Sequence, residues 1–143
     1  MLYDVSCATA QECMAVGGSQ WTRQYPLAEL WVNGRWQRVP GGRVSGGVLN
    51  GVSCLVKSGC VAVGSVGSKP LTQAWFGTDW QVIRTPKPGR GLTGALSQLS
   101  CRTGKGRCVS VGARFAPDQP SAQKTLAEWW SGKAWRLMAT RNP

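Results

Sequence analysis

The segment GVSCLVKSGCVAVG, Gly51 to Gly64, indicates the architecture of this chain, because two similar segments occur elsewhere in it. The copies read DVSCATAQECMAVGG from Asp4 and QLSCRTGKGRCVSVGA from Gln98. The first cysteines of the three copies, Cys7, Cys54 and Cys101, are spaced 47 and 47 residues apart. In each copy a β-prone run ends at the first cysteine and a run of small apolar residues follows the second. A fixed period of this length indicates a repeat architecture.

A second block follows the cysteines in every copy and carries a pair of tryptophans. It reads LAELWVNGRWQRVP from Leu27, LTQAWFGTDWQVIRTP from Leu71 and LAEWWSGKAWRLMAT from Leu126. Each copy therefore contains four β-prone runs. Asn33-Gly34 predicts a tight hairpin turn between the last two runs, because both residues accept a positive φ. No window shows the apolar period of a helix.

Four strands in a repeat of this length are typical of propeller blades. We therefore predict an all-β fold: a β-propeller built of four-stranded antiparallel blades, with three blades in this chain, at 2–46, 47–91 and 92–143. Propellers have roughly four to eight blades, and three would leave two apolar sheet faces open. We expect completion by a second copy, giving a head-to-tail dimer of six blades, or by further repeats of a longer chain.

The motifs VSC-x5-C-x-A-V-G, L-A-E-x-W, G-x-x-W and T-P-x-P resemble the tandem secreted repeats of actinobacterial proteins, whose function is generally unassigned. The resemblance covers essentially the whole chain. The third copy departs from it by a wider cysteine spacing and a long insert, and the second has Leu71-Thr72-Gln73 in place of L-A-E. The resemblance implies export and a propeller-like fold, and it assigns no catalytic residue.

Repeat symmetry favours one disulfide in each copy: Cys7–Cys13, Cys54–Cys60 and Cys101–Cys108. The alternative is zinc ligation, but zinc ligands usually lie two to four residues apart and often include histidine, which the chain lacks. Disulfides persist in oxidising compartments, so we expect a secreted, extracellular protein. The N-terminus lacks the charged and then apolar order of an intact signal peptide. No apolar run is long enough to span a membrane. Neither a metal nor a cofactor is predicted.

Each copy carries one pair of tryptophans, so six of the eight tryptophans belong to the repeat. A packing role that is needed in every blade explains why the pair recurs. The predicted structural core contains Trp31, Trp36, Trp75, Trp80, Trp130 and Trp135. Trp21 and Trp129 stand outside the repeat. Because side chains alternate along a strand, Trp129 should face opposite Trp130.

The chain has a formal net charge of +11, a balance that attracts polyanions. Its basic residues concentrate on the face that holds the connections between second and third strands and the linkers between blades. These residues are Arg23, Arg43, Lys69, Lys87, Arg90, Arg114, Lys124 and Arg141. The absence of histidine removes the usual general base and the activator of a catalytic cysteine. Glu29 and Glu128 occupy equivalent repeat positions, where a structural hydrogen bond is expected. We predict that the chain is not an enzyme.

The connection between the second and third strands varies most among the copies, and propeller function usually resides in loops. Its aromatic, basic and polar residues suit stacking on sugar rings, although a tolerated insertion is the plain alternative. With Trp129, the candidate ligand-binding residues are Trp21, Arg23, Tyr25, Arg114, Phe115, Asp118 and Gln119. We expect a lectin-like binding propeller that recognises glycan or another anionic ligand. Two alternatives are a protein–protein interaction scaffold and the non-catalytic segment of a larger exported hydrolase. Export disfavours nucleic acid as a partner.

Overall fold

The computed structural model describes residues 1–19, 24–56, 59–102 and 106–142. Those residues form three four-stranded antiparallel sheets and no helix, so they contain no helix able to span a membrane. The prediction of an all-β fold with four strands in each copy is confirmed. Strand order follows chain order within each sheet, so neighbouring strands are joined by hairpins.

The strands of the three sheets have closely matched bounds. Sheet 1 contains β1 (Leu2–Thr9), β2 (Glu12–Gly18), β3 (Pro26–Val32) and β4 (Arg35–Val39). Sheet 2 contains β5 (Gly47–Val56), β6 (Gly59–Val66), β7 (Lys69–Phe76) and β8 (Trp80–Ile83). Sheet 3 contains β9 (Thr93–Arg102), β10 (Arg107–Ala116), β11 (Gln119–Trp130) and β12 (Trp135–Leu137).

A disulfide joins the first two strands of every sheet. The bridges are Cys7–Cys13, Cys54–Cys60 and Cys101–Cys108, which confirms the predicted pairing and uses all six cysteines. Each bridge links residues that lie opposite one another in the ladder. Three such bridges are typical of extracellular proteins.

The last hairpin of each sheet turns where the sequence predicts it. Asn33 and Gly34 have φ of 53° and 76°, as a type I′ turn requires. Gly77 and Gly132 occupy the corresponding turns, each with φ of 91°. The positive φ explains why this turn contains glycine in all three copies.

Each sheet has two faces, which we name by their neighbours. The front face contacts the preceding sheet and in sheet 2 carries Leu49, Val52, Trp75 and Trp80. The back face contacts the following sheet and in sheet 1 carries Met14 and Val16. These six residues belong to one buried cluster between sheets 1 and 2. A smaller cluster, Val63, Leu96 and Leu126, lies between sheets 2 and 3.

The glycine after the small apolar run lets the first two strands of each sheet approach closely. A Cβ at Gly64 or Gly112 would collide with a backbone carbonyl oxygen of the first strand, and one at Gly17 with that of Met1, directly before the first strand. The first strand carries a register irregularity near this point in all three sheets. The A-V-G and S-V-G motifs are therefore explained by backbone packing.

Two features differ from the sequence predictions. The insert of the third copy, predicted to be a loop, lengthens the β10–β11 hairpin, which turns at Pro117-Asp118. Trp36, predicted to lie in the core, is 46% exposed, whereas its equivalents Trp80 and Trp135 are 4% and 6% exposed. Among the three described sheets none packs on the front face of sheet 1, which accounts for the exposed indole.

Candidate functional site

Beside the predicted binding face lies a groove between sheets 2 and 3, which we call the basic groove. Its volume is about 770 Å³, within the usual range of about 300–1,000 Å³ for ligand pockets. One side is formed by the β6–β7 turn and the start of β7, residues 68–70. The other side is the linker from sheet 2 to sheet 3, residues 85–93. The groove is therefore built from the two kinds of segment that the sequence places on the basic face.

Several polar contacts hold the linker against the sheets. The Gly94 N–H donates to the Ser68 carbonyl oxygen at 2.9 Å and so joins the linker's end to the β6–β7 turn. The Arg114 Nη1 group donates to the Pro88 carbonyl oxygen at 3.0 Å. The Thr93 hydroxyl donates to the Phe115 carbonyl oxygen at 3.3 Å. Prolines at three positions of the lining further restrict the backbone. The groove is accordingly a preformed feature.

The groove combines positive charge with apolar surface. Its titratable side chains are Lys69, Lys87 and Arg90, all exposed. None of its twelve lining residues is acidic. Pro70, Pro86, Pro88 and Leu92 supply the apolar part of the lining. Three cations beside apolar ring surfaces can hold an anionic group such as a carboxylate or sulfate next to an apolar part of the same ligand.

The candidate residues predicted from the sequence are scattered by the fold. Trp21 and Arg23 lie outside the described residues. Tyr25 is 39% exposed beside the β2–β3 connection, where its N–H donates to the Ser19 hydroxyl oxygen at 3.1 Å. Asp118 and Gln119 lie at the exposed tip of the β10–β11 hairpin.

Two of the candidates adjoin the basic groove, and one lies on another surface. Arg114 contacts the linker through Pro88, and Phe115 does so through Thr93. Both are on strand β10, because the predicted third loop is a strand extension. Trp129 is 37% exposed and lies opposite Val109, on the back face of sheet 3. The structure thus brings only part of the predicted set together.

A second groove, the outer groove, lies along the rim between sheets 2 and 3. It has a volume of about 590 Å³, and its walls include Val82, Pro86, Trp130 and Trp135. The indole rings of the two tryptophans pack at a centroid distance of 5.9 Å with an interplanar angle of 55°. Arg84 and Lys133 supply positive charge here. Since Pro86 lines both grooves, they adjoin one another.

Glu29 and Glu128 occupy the same repeat position, which carries a polar residue on the front face of each sheet. Its sheet 2 equivalent, Gln73, is fully buried, as is Glu128. Neither side chain has a hydrogen-bond partner among the described residues, so the expected structural bond is absent there. Burial raises the pKa of Glu128 from its ordinary value of 4.5 to about 7. The carboxyl is therefore largely protonated below neutral pH.

Lys69, Lys87 and Arg90 belong to the basic face predicted from the sequence, but they are not among the binding residues predicted there. The signal that could have selected Lys87 and Arg90 is the run from Pro86 to Gly91, PKPGRG, in which two cations alternate with proline and glycine. The groove itself depends on a linker meeting a distant turn. No group of three potential metal ligands occurs within the ranges that the structure describes.

Comparison with known proteins assigns neither a family nor an activity. No family model, no curated protein and no solved structure matches this chain. The resemblance to secreted actinobacterial repeats therefore stays a prediction.

Proposed function

We propose that the chain is a secreted, non-catalytic binding protein whose three sheets are propeller blades, and that the basic groove holds an acidic glycan. The observation that carries the proposal is the groove's composition: three exposed cations, four apolar residues and no acid. Such a lining recognises negative charge spaced along an extended, partly apolar ligand. A sulfated or uronic-acid-containing polysaccharide has this chemistry.

The blade assignment rests on the way the sheets stack. Consecutive sheets pack face to face through the clusters of buried residues between them. The hairpin ends and linkers also meet at one end of the stack, as in the hydrogen bonds from Gly67 N–H to the Gly46 carbonyl oxygen and from Gly46 N–H to the Gln24 carbonyl oxygen. A repeated stack with connections gathered at one end fits successive blades around an axis.

Binding suits the groove better than catalysis, because its titratable groups are two lysines and one arginine. A glycosidase site generally uses two carboxyl groups. The disulfides fit an oxidising environment outside the cell. The prolines narrow the backbone's freedom and reduce the ordering cost of binding.

Heparin is a suitable test ligand because it is a soluble, sulfated, uronic-acid-containing polysaccharide. We expect Arg90→Glu to weaken heparin binding by about tenfold or more, since it replaces attraction with repulsion inside the groove. Arg35→Glu is the matched control, because Arg35 is also exposed and lies at the β3–β4 turn outside the groove. Titration calorimetry at roughly physiological salt measures both variants.

Equal losses of affinity in Arg90→Glu and Arg35→Glu would show that total charge alone governs binding. In that case the groove has no special role and the proposal fails. Loss in Lys133→Glu without loss in Arg90→Glu would move the ligand to the outer groove, whose Trp130 and Trp135 favour stacking on sugar rings.

A further inference from the structure

Three equivalent front-face positions differ in exposure between sheet 1 and the later sheets. Leu2 is 40% exposed, whereas its equivalents Leu49 and Leu96 are fully buried. Val5 is 55% exposed, whereas Val52 is 4% exposed. Trp36 shows the same contrast. The front face of sheet 1 therefore displays an apolar surface that the repeat buries wherever a preceding sheet is present.

The back face of sheet 3 shows the reciprocal contrast. Val111 is 48% exposed, whereas its equivalents Val16 and Val63 are fully buried. Val109 is 44% exposed, whereas Met14 in the same position of sheet 1 is fully buried. The three described sheets thus leave one front face and one back face without a neighbouring sheet.

The internal junctions show what covers such faces. At both of them a back face meets a front face, with one recurring hydrogen bond across the junction. The Cys54 N–H donates to the Ser6 Oγ atom at 3.0 Å, and the Cys101 N–H donates to the Ser53 Oγ atom at 3.1 Å. Ser100 occupies the same position on the back face of sheet 3 and is exposed.

We propose that two copies of this chain associate head to tail, with the front face of sheet 1 in each copy docked on the back face of sheet 3 in the other. Each junction between the two copies has the same arrangement as the junctions between sheets within one chain. The Cys7 N–H of one copy donates to the Ser100 hydroxyl oxygen of the other. The two valine surfaces, around Val5 and around Val111, become buried together.

The number of sheets supports two copies rather than more. Rings made only of copies of this 143-residue chain contain three, six or nine sheets, and of these only six lies in the usual range of about four to eight propeller blades. Joining unlike faces can also produce an open filament unless the rotation closes. Closure at six depends on the blade assignment made above, whereas the docking of unlike faces does not.

The molecular mass in solution tests this inference, measured by light scattering on the eluting protein at micromolar concentration. A closed pair has twice the 15.3 kDa mass of one chain. Val5→Glu and Val111→Glu should each give monomers, with a dissociation constant at least about a hundredfold higher, because each buries a charge at both junctions. Both valines are exposed within one chain, so the variants keep the fold, which circular dichroism verifies.

Val82→Glu is the control, because Val82 is 58% exposed in sheet 2, which has a neighbouring sheet on both sides. It adds the same charge and should remain dimeric. Mixing Val5→Glu with Val111→Glu should restore part of the association, since a mixed pair contains one wild-type junction. A monomeric wild-type chain, or a series of masses above the dimer, would overturn the closed pair. Dimers of Val111→Glu would mean that like faces pair, which would overturn the docking itself.

Discussion

At the residue scale, equivalent residues of the three sheets can be compared with one another, because each repeat position occurs in three different environments. Glu128 is buried without a hydrogen-bond partner among the described residues, and burial raises its pKa to about 7. An acid whose pKa is raised by folding stabilises the native state below its unfolded pKa, here near 4.5. That stability is lost as the pH rises through about 7 and amounts to at most about 3 kcal/mol.

We therefore expect Glu128→Gln to raise the free energy of unfolding at pH 8 and to change it little at pH 5. Gln73 shows that the same position accepts an amide between sheets. Urea denaturation at the two pH values measures the effect. Asp118→Asn, at an exposed turn, should leave the pH dependence as in the wild type. A wild-type stability that does not fall between pH 5 and pH 8 would contradict the buried, protonated carboxyl.

The junction serines give a second prediction at this scale. Ser53→Ala leaves the Cys101 N–H without its acceptor between sheets 2 and 3, which should cost about 1–2 kcal/mol of stability. Ser100→Ala removes an equivalent hydroxyl from an uncovered face, so it should change the stability of a single chain little. Both are measured by urea denaturation in the monomeric Val5→Glu background. In the wild-type background, Ser100→Ala should instead weaken association.

At the scale of elements, most of the architecture could be predicted because it is set by local signals. The cysteine spacing predicts which strands are bridged, and Asn33-Gly34 predicts a turn that both φ values bear out. The extension of β10 and β11 was missed because the insert is polar on both sides of the strands and lacks the alternating apolar pattern. Its Pro117-Asp118 pair was the available turn signal.

The candidate site was harder to predict because it depends on contacts between distant segments. Lys69 and Arg90 approach one groove only because a linker crosses the β6–β7 turn. The exposure of Trp36 depends on whether a sheet precedes its own, and a repeated motif looks the same in covered and uncovered copies. Sequence periodicity predicts packing surfaces, but it does not distinguish an internal sheet from a terminal one.

The disulfides allow a prediction about whole hairpins. In the chain-entropy account, each bridge closes a short loop and contributes roughly 2 kcal/mol. Cys54 and Cys60 are also buried between sheets 1 and 2, whereas Cys7 is exposed. Replacing the buried pair with alanine should therefore cost more, about 4 kcal/mol, because a cavity adds to the lost constraint.

The two cysteine-to-alanine replacements must be compared in a monomer, so that association does not contribute to the measured stability. Both are therefore made in the Val111→Glu variant. Free energies of unfolding from urea titrations give the two costs. Similar costs for the Cys7/Cys13 and Cys54/Cys60 replacements would show that packing around the sulfurs contributes little. In that case the clusters between the sheets would be held mainly by their aliphatic and indole side chains.

At the scale of the whole molecule, the proposed pairing determines how many basic grooves one polysaccharide can occupy. A two-fold axis along the axis of a closed ring places both copies' grooves on the same side of the molecule. One long polysaccharide can then occupy both, and the second contact forms at a high effective concentration. The proposed pair would thereby bind long polysaccharides more tightly than short ones, without any added contact in either groove.

We therefore expect the monomeric Val5→Glu variant to bind a short heparin fragment as well as the wild type does, and long heparin at least about tenfold more weakly. Thr78→Glu, at the exposed β7–β8 turn and in the lining of neither groove, introduces the same charge without breaking the pair and should match the wild type with both ligands. Surface-immobilised protein at low density, with short and long heparin as analytes, provides the measurement. Equal losses for the two ligands in Val5→Glu would mean that the substitution damages the groove itself. Unchanged affinity for long heparin would mean that the two grooves act separately, even in a paired molecule.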